Sequence, residues 1–367
     1  MPGISKRKYV GECMRYNKMI KRPLYLIAEI LPKSYDGEIL LNFFQKYYPR
    51  EWSHLVQMQN SYLEKDRFLV SVGKKVRYKP MSPEKYFFSL PVVRNILCNS
   101  TKEKHSRLFE TEKHELNFKK IEQKRQLAID KCNDKIANNT ELIQNIDPHY
   151  VDYYISFYHR KGITIEGKVE IVKDLSKYSS AKIDTFFYKL NDSERNNQVR
   201  KIAFDYLQNT GKYVKLRAHF KGKQKEYMSE TTTFNMTPED LIKRIASNNI
   251  QTRKSFDFFI SHSYLDQKKV VMLFKHLNKQ GKVCYCDWTS DHDFLKREMA
   301  GKYTEEVLKR RIEQSKIVLY AKSQNANQSR WVEFELEFAE SLGKEIKEID
   351  IDSIVSEEIS NELLKIM

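Results

Sequence analysis

The second half of the chain alternates short apolar runs with amphipathic helical stretches, and this alternation limits the possible folds more than any other feature. Each apolar run suits one buried strand, and each helical stretch repeats its apolar residues every three or four positions. The strands are expected at Phe256–Ile260, Val283–Cys286, Ile317–Tyr320 and Ile346–Ile351, and the helices at Val270–Leu277, from Arg330 and near Ser356–Ile366. Such repeated units predict an α/β fold, a parallel sheet with helices on both faces that binds ligands at the carboxyl ends of its strands.

Polar and aromatic residues follow three of the predicted strands. The loops at these strand ends are Ser261–Asp266, Asp287–Asp293 and Ser323–Ser329. A helix begins after the third loop and has a glutamate four residues after its tryptophan. The candidate site residues in these segments are Ser261, His262, Ser263, Asp287, Trp288, Trp331 and Glu335.

In their order and strand-end positions, these motifs resemble the TIR (Toll/interleukin receptor) domain, in particular its bacterial branch that consumes NAD. The resemblance covers about Ser255 to Met367 and implies a flavodoxin-like parallel sheet. It implies that Glu335 is the catalytic residue for cleavage of NAD between ribose and nicotinamide, and that Trp331 forms a wall of the pocket.

The same resemblance implies roles for the first two loops. Ser261, His262 and Ser263 would line the nicotinamide and ribose side of the pocket, and Asp287 matches the acid after the family's second strand. NAD is then the substrate, so no cofactor and no metal are expected.

The chemistry of these residue types fits NAD cleavage. Breaking the glycosidic bond leaves positive charge on the ribose, and a fixed carboxylate such as Glu335 stabilises that charge as it develops. Trp288 or Trp331 could stack on the cationic pyridinium ring. Each residue also has a purely structural interpretation, because Glu335 lies in an acidic helix, Trp331 suits a core position and His262 suits a hydrogen-bonding loop residue.

The loops depart from the family in two ways. The stretch Thr289–Lys302 has no proline at the position where receptor-type TIR domains carry an Arg-Pro-Gly tip, and the first loop lacks the arginines of some NAD-cleaving relatives. The product, ADP-ribose or a cyclised form, therefore stays open.

Charge is distributed unevenly along the 367 residues. Residues before Ser255 include 48 Lys and Arg against 29 Asp and Glu, whereas the remainder has 17 against 20. The basic part predicts a surface for nucleic acid or an acidic protein, with a merely solvated lysine-rich surface as the alternative.

Cysteine usage and hydropathy predict a cytoplasmic protein. The five cysteines show no CxxC pair or metal-ligand spacing, which fits a reducing compartment. The most apolar run, Leu24–Leu31, is far shorter than the roughly 20 residues of a membrane helix. We therefore expect no membrane segment.

The length predicts about two or three domains, and composition and proline positions divide the chain further. Prolines predict several short helices before residue 100. The predicted helix Asn191–Leu207 and a basic hairpin of strand Val214–Phe220 and turn Lys221–Lys223 resemble a winged helix. The predicted regions are 1–100, helical; 101–147, a long helix or helical hairpin; 148–247, a small α+β module; 248–254, a linker; and 255–367, the TIR domain.

Together these features predict an NAD+ glycohydrolase or ADP-ribosyl cyclase. We expect an antiphage defence or signalling effector that is activated by self-assembly through TIR–TIR contacts, with the basic N-terminal region as sensor or scaffold. The alternative is a non-enzymatic TIR interaction or adaptor module, with or without nucleic-acid binding by the N-terminal region.

Overall fold

The computed structural model describes residues 4–216, 220, 222–234, 237–247 and 249–351. The chain divides into two compact units. The first comprises the residues up to Lys135 together with Gly211–Tyr213, and the second comprises 136–210 and the residues from Val214 onward.

The first unit is helical. Its helices are α1 (Ile4–Ala28), α2 (Gly37–Tyr47), α3 (Pro49–Ser71), α4 (Pro83–Ser89), α5 (Pro91–Leu97), α6 (Asn99–Arg107) and most of α7 (Thr111–Thr140). Aromatic and aliphatic side chains from α1 to α5 form its core, with Tyr16, Leu24, Phe44 and Phe87 among those fully buried. The helical character predicted for this region is confirmed.

The expectation that prolines keep the helices before residue 100 short is wrong for α1 and α3. α1 continues past Pro23, and α3 extends over 23 residues. Pro49 and Pro83 instead occupy first turns, where the missing N–H has no intrahelical partner to lose. Among the described residues, no helix is long and apolar enough to cross a membrane.

The second unit begins with a helical layer. Its helices are α8 (Val151–Tyr158), α9 (Ile165–Leu175), α10 (Ala181–Ser193), α11 (Asn197–Asn209), α12 (Pro238–Ser247) and α13 (Asn249–Thr252). α12 starts with Pro238 at its first position, and the Thr237 hydroxyl accepts the Asp240 N–H at 3.2 Å.

Three predictions for this layer need correction. The predicted helix start at Asn191 lies inside α10, because the cap of α11 is Asn196, whose side chain accepts the Val199 N–H. Residues 214–216 and 220 of the predicted strand are not in a strand, and residues 217–219 and 221 of the predicted hairpin lie outside the described residues. The segment predicted as a linker contains α13 and the buried side chain of Lys254.

The remainder of the second unit is the predicted α/β domain. It contains β1 (Phe256–Ser261), α14 (Gln267–Lys279), β2 (Cys284–Tyr285), α15 (Asp287–Ser290), α16 (Lys302–Glu313), β3 (Ser315–Lys322), α17 (Arg330–Ser341) and β4 (Glu345–Asp350). The strands are all parallel in the order β2-β1-β3-β4, with Phe258 opposite Cys284 and Ile317. This order agrees with a flavodoxin-like sheet, whereas the last predicted helix lies outside the described residues.

Helices cover both faces of the sheet. One face, including Phe258, Cys284 and Leu319, packs on the apolar side of α14. The other face, including Phe259 and Val318, shares one continuous core with α16, α17 and the helices α8 to α11. The sheet and the helical layer of the second unit therefore bury their apolar surfaces against each other.

Candidate active site

Glu335 lies at the carboxyl end of β1. It is on the inward stripe of α17 with Val332 and Ala339, which have the i, i+3, i+7 spacing of a buried helix face. Only 7% of Glu335 is exposed, and its Oε2 accepts a hydrogen bond of 2.6 Å from the hydroxyl of Ser261, the last residue of β1. Helix and strand thus bring together two residues that are 74 positions apart.

The surroundings of Glu335 disfavour its charge. Burial raises the pKa of this carboxyl well above its usual range, the Ser261 hydrogen bond opposes the shift in part, and the nearby charge of Asp287 adds to it. Burial of an acid is expensive, so a carboxylate held in this way at strand ends is a functional-site candidate. Neither Glu333 nor Glu337 on the same helix is buried.

A second group forms around His262. Its Nδ1 lies 3.0 Å from the Ile260 carbonyl oxygen, which can only accept, so Nδ1 carries the proton. The indole N–H of Trp288 then donates to Nε2. Trp288 also packs near Phe274 of α14, with 6.3 Å between ring centroids. This histidine and tryptophan hold the first and second loops together.

The His262 group contains ligand-type atoms but does not suit a metal ion. The ligand atoms of His262, Cys286 and Asp287 lie within 4.8 Å of one another. However, Nε2 already accepts the indole N–H of Trp288, so it has no free lone pair for a metal ion. We therefore assign no metal to these residues.

The remaining predicted residues occupy more open positions. The Asp287 side chain is 41% exposed and accepts the backbone N–H of Trp288 at 2.8 Å. Trp331, in the first turn of α17, is 36% exposed and packs edge-on against Phe334, with 6.3 Å between the ring centroids. The Ser263 hydroxyl accepts the Leu265 N–H at 3.4 Å, which places it in the turn of the first loop.

Three residues that sequence reasoning did not single out connect the first and third loops. The Asp266 carboxylate accepts hydrogen bonds from the Ser323 hydroxyl and, at 2.8 Å, from the Asn325 amide. Ser323 also caps the Ala326 N–H at 2.9 Å. In the sequence, the only indication of this contact is an acid directly before α14 and polar residues directly after β3.

A buried ionic network holds the second loop, and it too was missed. Arg311 of α16 is fully buried and its Nε lies 2.8 Å from Asp291, which directly follows α15. The Asp291 N–H in turn donates to the Asp287 carbonyl at 2.9 Å. Arg311 also donates to Gln251 of α13 at 2.9 Å.

The helical layer takes part in this network. Lys177, which follows α9, donates to the Ser290 carbonyl of α15 and lies 3.5 Å from Asp174. Lys254 approaches the same Asp174 at 2.9 Å. The backbone that carries Asp287 and Trp288 is therefore fixed by charged residues from outside the α/β domain.

The fold and site define a class: a parallel α/β domain of TIR type with a buried glutamate at the carboxyl ends of its strands. Comparison with known proteins agrees, because residues 259–355 match the family described as Thoeris protein ThsB, TIR-like domain. The chain belongs to this family of TIR-domain proteins, since a relative aligns with almost its whole length.

That relative is a protein of Cytobacillus dafuensis named putative cyclic ADP-D-ribose synthase TIR2. It is 51% identical over 344 residues, which cover 94% of this chain and 91% of the relative. A Bacillus cereus (strain MSX-D12) protein named probable 3' cyclic ADP-D-ribose synthase ThsB' is 30% identical over 142 residues, or 39% of this chain and 66% of that protein. No solved structure matches the chain.

Proposed function

We propose that this chain is an enzyme that cleaves NAD+ between nicotinamide and ribose, with Glu335 as its catalytic residue, and that it cyclises the ADP-ribosyl group that nicotinamide leaves behind. The observation that carries the proposal is the buried Glu335 carboxyl, held by Ser261 at the carboxyl ends of the strands. The names of both relatives, each a cyclic ADP-D-ribose synthase, also support it.

The proposed reaction needs a carboxylate and no redox partner. As the bond between ribose C1′ and the pyridinium nitrogen breaks, its electron pair neutralises nicotinamide and leaves an oxocarbenium-like ribose. The Glu335 carboxylate stabilises this developing cation. Its interaction with the transition state is stronger than its interaction with the ground state, and this difference accelerates cleavage. A nucleophilic group of the same ADP-ribosyl cation then forms the new bond to C1′ and releases a proton, whereas attack by water would give ADP-ribose.

The raised pKa of Glu335 fits a cationic substrate. Burial penalises the carboxylate when nothing positive lies near it. The positive charge of a bound pyridinium ring favours the ionised form, so NAD+ binding and loss of the Glu335 proton assist each other. The charge that catalysis requires is thus stabilised by the substrate itself.

The other site residues receive roles that follow their positions. Trp331 is the more accessible of the two site tryptophans and stacks on the nicotinamide ring, because the indole of Trp288 is engaged by His262 and packs near α14. Asp287 lies at the rim with a partly exposed carboxylate for the ribose hydroxyls. Ser263 and His262 shape the first loop against the substrate.

Product analysis tests the proposal directly. The purified full chain is incubated with NAD+, and nicotinamide, ADP-ribose and any product lighter than ADP-ribose by one water are measured by mass spectrometry. Nicotinamide with the lighter product supports the cyclase, and nicotinamide with ADP-ribose alone supports cleavage but overturns cyclisation. Intact NAD+ at every protein concentration, including concentrations at which the chain self-associates, would favour the non-enzymatic interaction module.

We extend the proposal to the biological setting. The enzyme acts in the cytoplasm in antiphage defence, becomes active by self-assembly through its TIR domain, and uses the basic N-terminal region as sensor or scaffold for nucleic acid or an acidic protein. Binding of nucleic acid should weaken steeply with salt, because cationic contacts to phosphates release counterions. Phage survival in cells that express the intact chain or Glu335→Gln tests the defence role.

A further inference from the structure

The helical layer of the second unit contains a cavity that is separate from the candidate NAD site. Its volume is about 400 Å³, within the range of small-molecule sites. The residues that line it come from the ends of α8 and α10, from α9 and from the turn at Tyr227, and they are Tyr158, His159, Arg160, Lys168, Leu190, Ser193, Glu194, Arg195 and Tyr227. None of them is a candidate NAD-site residue.

The floor of the cavity is a balanced charge network. The Glu194 carboxylate accepts hydrogen bonds from the Tyr158 hydroxyl, from the Tyr227 hydroxyl at 2.9 Å and from the Asn196 N–H at 2.8 Å. Lys168 donates to the Tyr227 hydroxyl at 2.6 Å and lies 3.9 Å from Glu194. The single acid that lines the cavity is thus occupied by groups of the chain itself.

The surroundings of Glu194 favour its charged form. Burial alone would raise the pKa of Glu194, but the hydrogen bonds from Tyr158, Asn196 and Tyr227 and the charge of Lys168 lower it overall. The Lys168 ammonium also lies 5.1 Å and 4.8 Å from the ring centroids of Tyr158 and Tyr227, where the ring faces favour a cation. One negative and one positive charge therefore cancel at the base of the cavity.

The rim has no such balance. Arg160 and Arg195 are exposed, with His159 and Ser193 beside them. In the part of the chain that the structure describes, no carboxylate pairs with either guanidinium, and the only ring near Arg160 is Phe157 at 5.8 Å. Two unneutralised arginines at one concave opening give a surplus of positive charge.

We propose that this cavity binds a small phosphorylated molecule, whose phosphate is held by Arg160 and Arg195 and whose remainder rests on the tyrosine-lined floor. Guanidinium groups bind phosphate oxygens through paired hydrogen bonds, and two of them match the charge of about −1.5 to −2 on a phosphate monoester better than the single charge of a carboxylate. The concave shape and limited volume fit a sugar phosphate or a mononucleotide better than the broad backbone of a duplex.

Calorimetry on the full chain tests this proposal with ribose 5-phosphate, inorganic phosphate and ribose. We expect ribose 5-phosphate to bind and ribose to give no signal, and we expect the double variant Arg160→Gln, Arg195→Gln to bind at least about tenfold more weakly. Inorganic phosphate that binds as tightly as ribose 5-phosphate would show that the phosphate alone is recognised.

A matched control separates a site from general electrostatics. Lys161→Gln with Lys189→Gln removes the same charge from exposed residues outside the cavity lining and should leave affinity within about twofold. Equal weakening in both double variants, or no binding of either phosphate probe, would overturn the proposal. Loss of duplex DNA binding in the arginine variant, without any small-phosphate binding, would assign the rim to nucleic acid instead.

Discussion

The Ser261 hydroxyl donates to the Glu335 carboxylate across 2.6 Å, and both residues are buried. Ser261 ends β1, and Glu335 lies in the second turn of α17. This hydrogen bond partly offsets the burial that raises the pKa of Glu335. The relationship makes the ionisation of the proposed catalytic group depend on one serine.

Ser261→Ala should shift the pH dependence of NAD+ cleavage. Loss of the hydrogen bond removes an interaction that lowers the Glu335 pKa, so the carboxylate forms only at higher pH. The rise of kcat/KM with pH should therefore move to higher pH, which pH profiles would measure. Ser341→Ala, on the exposed end of the same helix, should leave the profile in place.

Glu335→Gln should stabilise the fold above pH 4.5, which is the ordinary pKa of a glutamate side chain. Because the pKa of Glu335 is raised by folding, the unfolded chain ionises first as pH rises, and stability falls until pH passes the folded-state pKa. A glutamine does not ionise and so avoids this loss. In urea unfolding, the gain in the free energy of unfolding from Glu335→Gln should therefore be larger at about pH 8 than at about pH 5. An advantage that shrinks with pH would contradict the assigned burial.

Trp331→Ala should weaken substrate binding without unfolding the protein. A cation stacked on an indole contributes about 0.5–2 kcal/mol, which corresponds to an increase in KM of about two- to thirtyfold. Trp331 is partly exposed, so the free energy of unfolding should change by less than about 0.5 kcal/mol. Trp288→Ala should instead destabilise the fold, since that indole donates to His262 and packs near α14.

Arg311→Met should destabilise the chain strongly. The substitution leaves Asp291 buried without its partner, and breaking a buried ion pair costs about 3–5 kcal/mol. Urea unfolding of Arg310→Met provides the comparison, because Arg310 is exposed and pairs with Glu313 at the surface. Arg310→Met should change the free energy of unfolding by less than about 1 kcal/mol. Equal losses of stability in the two variants would refute the buried network.

The strands of the α/β domain and its helices α14 and α17 could be predicted because their signal is local. Apolar runs mark β1 and β3, and the periodic residues from Val270 to Leu277 mark α14. Glu335 is singled out among the acids of α17 by the resemblance to TIR domains, in which the catalytic glutamate follows a tryptophan by four residues. Local patterns were sufficient for the strands and helices, whereas the choice of Glu335 depended on the family.

Features that depend on distant contacts could not be predicted. Arg310 and Arg311 are adjacent and chemically identical, yet one side chain is 58% exposed and the other is fully buried, because its partners Asp291 and Gln251 lie far away in sequence. α1 likewise continues past Pro23, since packing of its apolar face outweighs the local preference to end the helix. Tertiary contacts decide such cases.

The most direct test of the account is NAD+ turnover by the full chain and by the variants Glu335→Gln and Glu337→Gln. Both variants remove one carboxylate from α17, but only Glu335 is buried beside Ser261. We predict that Glu335→Gln lowers kcat by at least about 100-fold while Glu337→Gln retains full activity. Undiminished nicotinamide release by folded Glu335→Gln would contradict the assignment of the catalytic residue.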